Sequence, residues 1–148
     1  MLFRSPFLNA EKLGLNFGLQ GAQYTATSTT AENQALCNSV YVHSIPSNKD
    51  NQDIVSMGTN SAIITKKVLE NSFQVMAIHL IAICQAIDLL EPKEKEKIST
   101  KTKEVYSMIR TKVKFITDDI SHSDGINAVC NFIKEQKVGL SEVNGVKA

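Results

Sequence analysis

The sequence predicts an all-α protein. Three features carry that reading: a stretch from about Gly58 to Leu90 that is helix-compatible throughout, an apolar periodicity of helical spacing after Pro92, and no persuasive strand alternation. The long stretch ends at Pro92, which disfavours helix through the residue before it. At 1.5 Å per residue such a helix approaches ~50 Å. Its first half mixes polar and apolar positions (Ile63, Ile64, Lys66, Lys67, Val68, Glu70, Asn71), whereas Val75 to Cys84 is apolar apart from His79. A helix apolar on all sides must be surrounded. Only two or three short helices remain to do this, so the cover is expected from other subunits or from a preceding part of a longer protein. Ten residues fall short of the ~20 of a membrane span. Gln74, Gln85 and Asp88 also bracket the run closely, so it reads as a helix buried in protein, with no membrane partner.

The other elements follow in order. Residues 1–17, with Pro6 and Gly14 and no sustained apolar period, read as an irregular leading segment. Gly18 to about Cys37, rich in Ala, Gly, Ser and Thr, reads as a helix in which small residues permit close approach. Its threonines lower helix propensity by up to ~0.7 kcal/mol each, so packing must override them. Between Asn38 and Ser56 the cluster Pro46, Ser47, Asn48, Lys49, Asp50, Asn51, Gln52, Asp53 predicts a loop, with Asp53 or Ser56 available to cap the next helix. Lys93 to Lys97 read as a solvated helix start. Ile98, Val105, Ile109, Val113 and Ile116, at spacings of seven, four, four and three, read as one amphipathic helix. A last helix starts at Ser123 or Asp124, presents Ile126, Val129, Phe132 and Ile133, and stops at Gly139 before a frayed tail, 139–148.

Composition narrows the function. The chain has 148 residues, 43% of them hydrophobic, in the range of one ordinary domain. A balance of 16 Lys plus Arg against 15 Asp plus Glu, net +1, gives no field that argues for nucleic acid as the partner. Cys37, Cys84 and Cys130 are odd in number and widely spaced, without CxxC, so neither a disulfide framework nor a metal site is expected and a reducing cytoplasm fits. The N-terminus has no long apolar secretory segment.

The histidines are each open to over-reading as catalysts. His79, within the apolar helix, reads as buried and hydrogen-bonded, His43 as a brace for the loop, and His122 as an exposed linker residue. Ser44, His43 and Asp50 contain the residue types of a hydrolase triad, but no nucleophile-elbow pattern surrounds Ser44.

The loop and the helix start after it form the most informative string. DNQDIVSMGTNSA, followed after the long helix by AICQAIDL, resembles the matching region of histidine, phenylalanine and tyrosine ammonia-lyases. Upstream, LNFGLQGAQYTATSTTAENQALCNSVYVHSIPSN matches in order and spacing, and resembles bacterial tyrosine ammonia-lyases in particular. The likeness is specific over residues 12 to 90 and looser from 93 onward. It implies the long-helix bundle of the ammonia-lyase, or fumarase/aspartase-like, fold, of which this chain looks like a C-terminal piece. Residues 18–90 would belong to the helical core, with an active-site loop at 43–57, and 91–138 to the C-terminal helices.

The resemblance implies elimination of ammonia from an aromatic L-amino acid, with tyrosine or phenylalanine favoured over histidine, in a cytoplasmic homotetramer. It also implies a methylidene-imidazolone (MIO) electrophile made from an Ala-Ser-Gly triplet. No Ala-Ser-Gly occurs in these 148 residues. The family's tyrosine base and carboxylate-binding arginine lie upstream of the matched region, so no catalytic residue is assignable. What carries over is a substrate-binding set. Gln52 matches a position, beside the prosthetic ring and the substrate's amino group, where histidine enzymes have Glu and phenylalanine or tyrosine enzymes have Gln. Asn51 precedes it at a position also polar in the family, and Gln20 and Asn48 match pocket-lining positions. A neutral amide offers donors and an acceptor to an amino-acid substrate without adding a buried charge. Two other readings stay open: a non-catalytic helical module that self-associates through residues 75–90, and part of an aromatic aminomutase.

Overall fold

The computed structural model describes residues 15–43, 45, 46, 49 and 57–135. The readings for the first 14 residues, for most of the 43–57 loop and for the tail fall outside these. Helix α1 spans Gln20–Leu36 in spite of four threonines. Thr25, Thr27 and Thr30 each donate a hydroxyl bond to the carbonyl four residues back, on Gly21, Gln23 and Ala26, which satisfies them on the exposed side. The fourth, Thr29, is buried and donates to Gln74 Oε1 at 3.2 Å. After a short 3-10 turn, Val40–His43, helix α2 runs from Gly58 to Asp88. Its 31 residues make a rod of ~46 Å. Met57, left-handed with φ 54°, stands at the N-cap position without a side-chain cap bond; Asp53 and Ser56 fall outside the described residues.

The carboxyl half of α2 is the axis of the fold. Asn71, Ala77, Ile78, Ile81, Cys84 and Gln85 are its buried residues, a stripe of helical period. On one side lies α1, antiparallel. Asn71 Nδ2 donates to Glu32 Oε2 at 2.7 Å and to Asn33 Oδ1 at 2.9 Å, while Thr29 meets Gln74 farther along. Helix α3, Pro92–Glu96, opens with its proline in the first turn. Helix α4, Thr100–Arg110, is capped by Ser99, whose hydroxyl accepts from the Thr102 N–H at 3.2 Å. Helix α5, Ser123–Glu135, returns along α2 and buries Ile126, Val129 and Cys130. These residues join Ile109, Ile116, Leu19 and Ala22 in one core with the α2 stripe. Each fully buried aliphatic side chain, such as Ile109 or Val129, contributes about 1.5–3 kcal/mol. Among the described residues no β-strand is formed, so the all-α class holds.

Four expectations need correction. The amphipathic helix read from Ile98 to Ile116 is shorter: α4 ends at Arg110, and the chain from Thr111 to His122 is irregular. Side-chain bonds, local from Arg110 and long-range from Gln85, compete there with helix continuation. Arg110 Nη1 donates to the carbonyls of Val113 (3.0 Å) and Lys114 (2.9 Å), and Gln85 takes both backbone groups of Ile116. Ile116 remains core, but outside a helix. His79 is exposed, because its position faces away from the stripe that α1, α4 and α5 cover, and His122 is half-buried rather than exposed. The apolar run is partly covered within the chain, with Met76 (49% exposed) and Ile83 (40%) left on the open side. By length and composition α2 is also apolar enough to cross a membrane, a test that the core helix of a soluble protein passes too.

Candidate functional site

Of the four residues expected to line a substrate pocket, Gln20 is described; Asn48, Asn51 and Gln52 fall outside the described residues. Gln20 is the first residue of α1. Its Nε2 donates to the Tyr24 hydroxyl one turn on at 2.9 Å, which holds the amide over the exposed side of the helix. The described residues flanking the loop are open as well. Tyr41 (71% exposed), Val42 and Ile45 (76%) project from one end, and Gly58 to Ile63 are exposed at the other. His43 is exposed on the 3-10 turn. Gln20 stands at the amino end of α1 and Tyr41, Val42 and Ile45 beyond its carboxyl end, so within one chain the 17-residue helix, ~25 Å long, separates them.

A separate concavity lies elsewhere among the described residues. A cavity of about 340 Å³ is floored by Leu19, Ala22, Ile78, Ile81, Ile116 and Ile126, with Lys112, Lys114, His122 and Asp124 around it. None of the expected site residues lines it. His122 is engaged there, its Nε2 being 3.3 Å from the Gly18 carbonyl oxygen. Among the described residues no three His, Cys, Asp or Glu side chains come together as a metal site.

A buried polar cluster joins α2, α4 and the segment after it. Gln85, fully buried, donates to the Ile116 carbonyl at 2.8 Å and accepts from its N–H at 3.1 Å. Arg110 pairs with the Asp88 carboxylate and lies over the Tyr106 ring, and the Tyr106 hydroxyl donates to the same carboxylate. That bond to Asp88, which stabilises the neutral phenol, together with some burial, pushes the Tyr106 hydroxyl up from its usual value. Burial likewise pushes the Cys84 thiol up, opposed by Arg110 and assisted by Asp88. A neutral thiol is a poor nucleophile, and the bonds of the cluster go to backbone groups and to one another. Its chemistry is that of a brace. Gln85 and Asp88 belong to the AICQAIDL string that carried the resemblance, but their task of fixing residues 113–116 was not foreseen; a polar amide inside an apolar run was the available signal.

Comparison with known proteins identifies what the arrangement belongs to. The profile of the aromatic amino acid lyase family matches residues 3–111. The tyrosine ammonia-lyase of Cupriavidus metallidurans is 36% identical over 129 residues, 87% of this chain and 24% of that protein. Among solved structures, the histidine ammonia-lyase of Trypanosoma cruzi superposes with a TM-score of 0.79 at 32% identity, over 86% of this chain and 24% of the other. The phenylalanine aminomutase of Pantoea agglomerans does so with 0.80 at 34%, over 87% and 25%. The chain thus spans about a quarter of the length of the relatives it matches. With its helices superposing on lyase and mutase structures and its profile match covering most of its length, this chain belongs to the aromatic amino acid lyase family.

Proposed function

We propose that this chain forms part of an ammonia-lyase acting on an aromatic L-amino acid, tyrosine or phenylalanine rather than histidine, and that it lends the enzyme a pocket wall around Asn51 and Gln52, with Gln20 and Asn48 at further pocket-lining positions. The family match over residues 3–111 carries this reading. The open display of Tyr41, Val42 and Ile45 beside the loop suits a wall completed by other polypeptide. Gln52 favours a tyrosine or phenylalanine substrate, because a neutral amide cannot serve as the base, or pair with an imidazole, as a carboxylate there would. The methylidene-imidazolone group of the family requires an Ala-Ser-Gly triplet, which these 148 residues do not contain. The residues present therefore do not form the group. Binding and orienting the substrate's polar groups are what this chain's own amides contribute.

The proposed assembly is a cytoplasmic homotetramer. Ile63, Leu69, Met76 and Ile83, exposed along α2, give it an apolar surface to bury, and three free cysteines suit a reducing compartment. Incubating the purified chain with tyrosine, phenylalanine or histidine is expected to yield no rise in the ultraviolet absorbance of an α,β-unsaturated acid. Co-expression with the preceding three quarters or so of a relative such as the Cupriavidus metallidurans enzyme is expected to restore turnover. Turnover by the chain alone, or failure of every such pairing, overturns the proposal. An aromatic aminomutase is the second reading, favoured by the superposition on the Pantoea agglomerans aminomutase. It is recognised by a β-amino acid among the products.

A further inference from the structure

Helix α1 starts without a cap of its own. Leu19 stands at the N-cap position with no side-chain bond, the first turn has no acidic residue, and Gly18 before it is left-handed, with φ 57°. A helix start leaves backbone N–H groups to be paired from elsewhere. The two residues just ahead of this start, Phe17 and Gly18, are held from more than a hundred residues along the chain. Asp119 Oδ2 accepts from the Phe17 N–H at 2.8 Å and Oδ1 from the Gly18 N–H at 2.8 Å. The Asp119 N–H returns a bond to Asn16 Oδ1 at 3.3 Å, and Asn16 Nδ2 donates to the Thr117 carbonyl at 3.3 Å. A carboxylate bridging two successive amides makes charge-assisted bonds, about twice as strong as neutral ones, at the end of a helix where negative charge is favoured. Two residues beyond the gripped amide is Gln20, with its side chain tied to Tyr24. The placing of α1's first turn, and of the Gln20 amide on it, therefore depends on Asp119.

We propose that Asp119 is a positioning residue for the substrate pocket, acting through the amino-terminal turn of α1 on Gln20. It lies beyond the stretch matched by the family profile, and its role is read from the contacts of this chain. The proposal rests on the reading that Gln20 faces the substrate. Its test has two parts. Hydrogen exchange on the 148-residue chain compares wild type, Asp119→Ala and Asp119→Asn. Asp119→Ala is expected to speed exchange at Phe17, Gly18 and the first turn of α1 by roughly tenfold, as loss of a helix cap does, with α2 unchanged. Asp119→Asn, which keeps one acceptor oxygen, falls between. If Asp119→Ala loosens α2 as well, Asp119→Asn alone carries the comparison. Equal exchange at Phe17 and Gly18 in the wild type and that variant overturns the proposal, whatever the fate of the pocket reading.

In the complemented enzyme, Asp119→Ala is expected to raise KM several-fold with little change in kcat, and to add nothing once Gln20→Ala is present. An undiminished effect in the Gln20→Ala background shows a purely structural role and overturns the proposal. Gln20→Ala without effect on KM removes Gln20 from the pocket, and the proposal falls with that reading while the exchange result stands apart.

Discussion

The two halves of α2 share one helix and differ in almost everything around it. From Gly58 to Glu70 no residue is buried, although Ile63 and Leu69 are large and apolar. From Asn71 to Asp88 six residues are buried beneath α1, α4 and α5. Helix formation therefore does not distinguish the halves, and the geometry of the partners does. The carboxyl half is largely covered by this chain's own helices, whereas the amino half, next to the proposed pocket loop, leaves Ile63 and Leu69 exposed. Exposed apolar residues are thus not confined to the 75–90 run that the sequence marked.

The largest contrast is expected from paired substitutions. Gln85→Ala leaves the buried N–H and C=O of Ile116 unpaired and is expected to destabilise the chain by about 3 kcal/mol. Ile63→Ala, on the exposed half, is expected to stay within about 0.5 kcal/mol. Urea midpoints compare the two, and similar losses would erase the distinction between the halves. At the boundary, Asn71→Ala removes two bonds to α1 from a buried position, for which a loss of about 1–2 kcal/mol is expected by the same measurement.

A smaller effect comes from pH. Because the Tyr106 hydroxyl is held above its usual value of 10, the unfolded chain loses that proton first as pH rises. The associated stability is complete below pH 10 and is lost as pH climbs through the folded value. Subtracting a Tyr106→Phe titration from that of the wild type should isolate a fall above pH 10, and a flat difference would deny the Asp88 bond its role. The smallest effect is expected at Gly21, where an added Cβ meets nothing within 4 Å. Gly21→Ala in this exposed turn is expected to stabilise by about 0.5 kcal/mol, read from the thermal midpoint.

Much of this was legible in the sequence. The approximate extents of α1 and α2 follow from local composition and Pro92, and the start of α5 from Ser123 and Asp124, all short-range signals. The end of α4 was not legible. Val113 and Ile116 continue the spacing of Val105 and Ile109, while Arg110 close by and Gln85 31 positions away take up their backbone groups, and periodicity registers side-chain direction rather than competing bonds. His79 was misplaced for a related reason: an apolar neighbourhood in sequence does not say which face of a helix is covered. At the candidate site the resemblance singled out Gln20, Asn48, Asn51 and Gln52 without geometry, and the structure adds it for Gln20 alone. Asp119 left no local trace, since its partners stand 101 and 102 positions away.

That separation bears on how the chain folds. Joining Phe17 and Gly18 to Asp119 closes a loop of about a hundred residues, with an entropic cost on the order of 4 kcal/mol if nothing brought the ends together beforehand. Packing of α1 and α5 on α2 does bring them together, so the tie is expected to form late, after the three helices have docked. A bond made after the rate-limiting step slows escape from the native state without hastening arrival. Substitution at Asp119 should accordingly show in the unfolding limb of a chevron plot, leaving the refolding limb where it was.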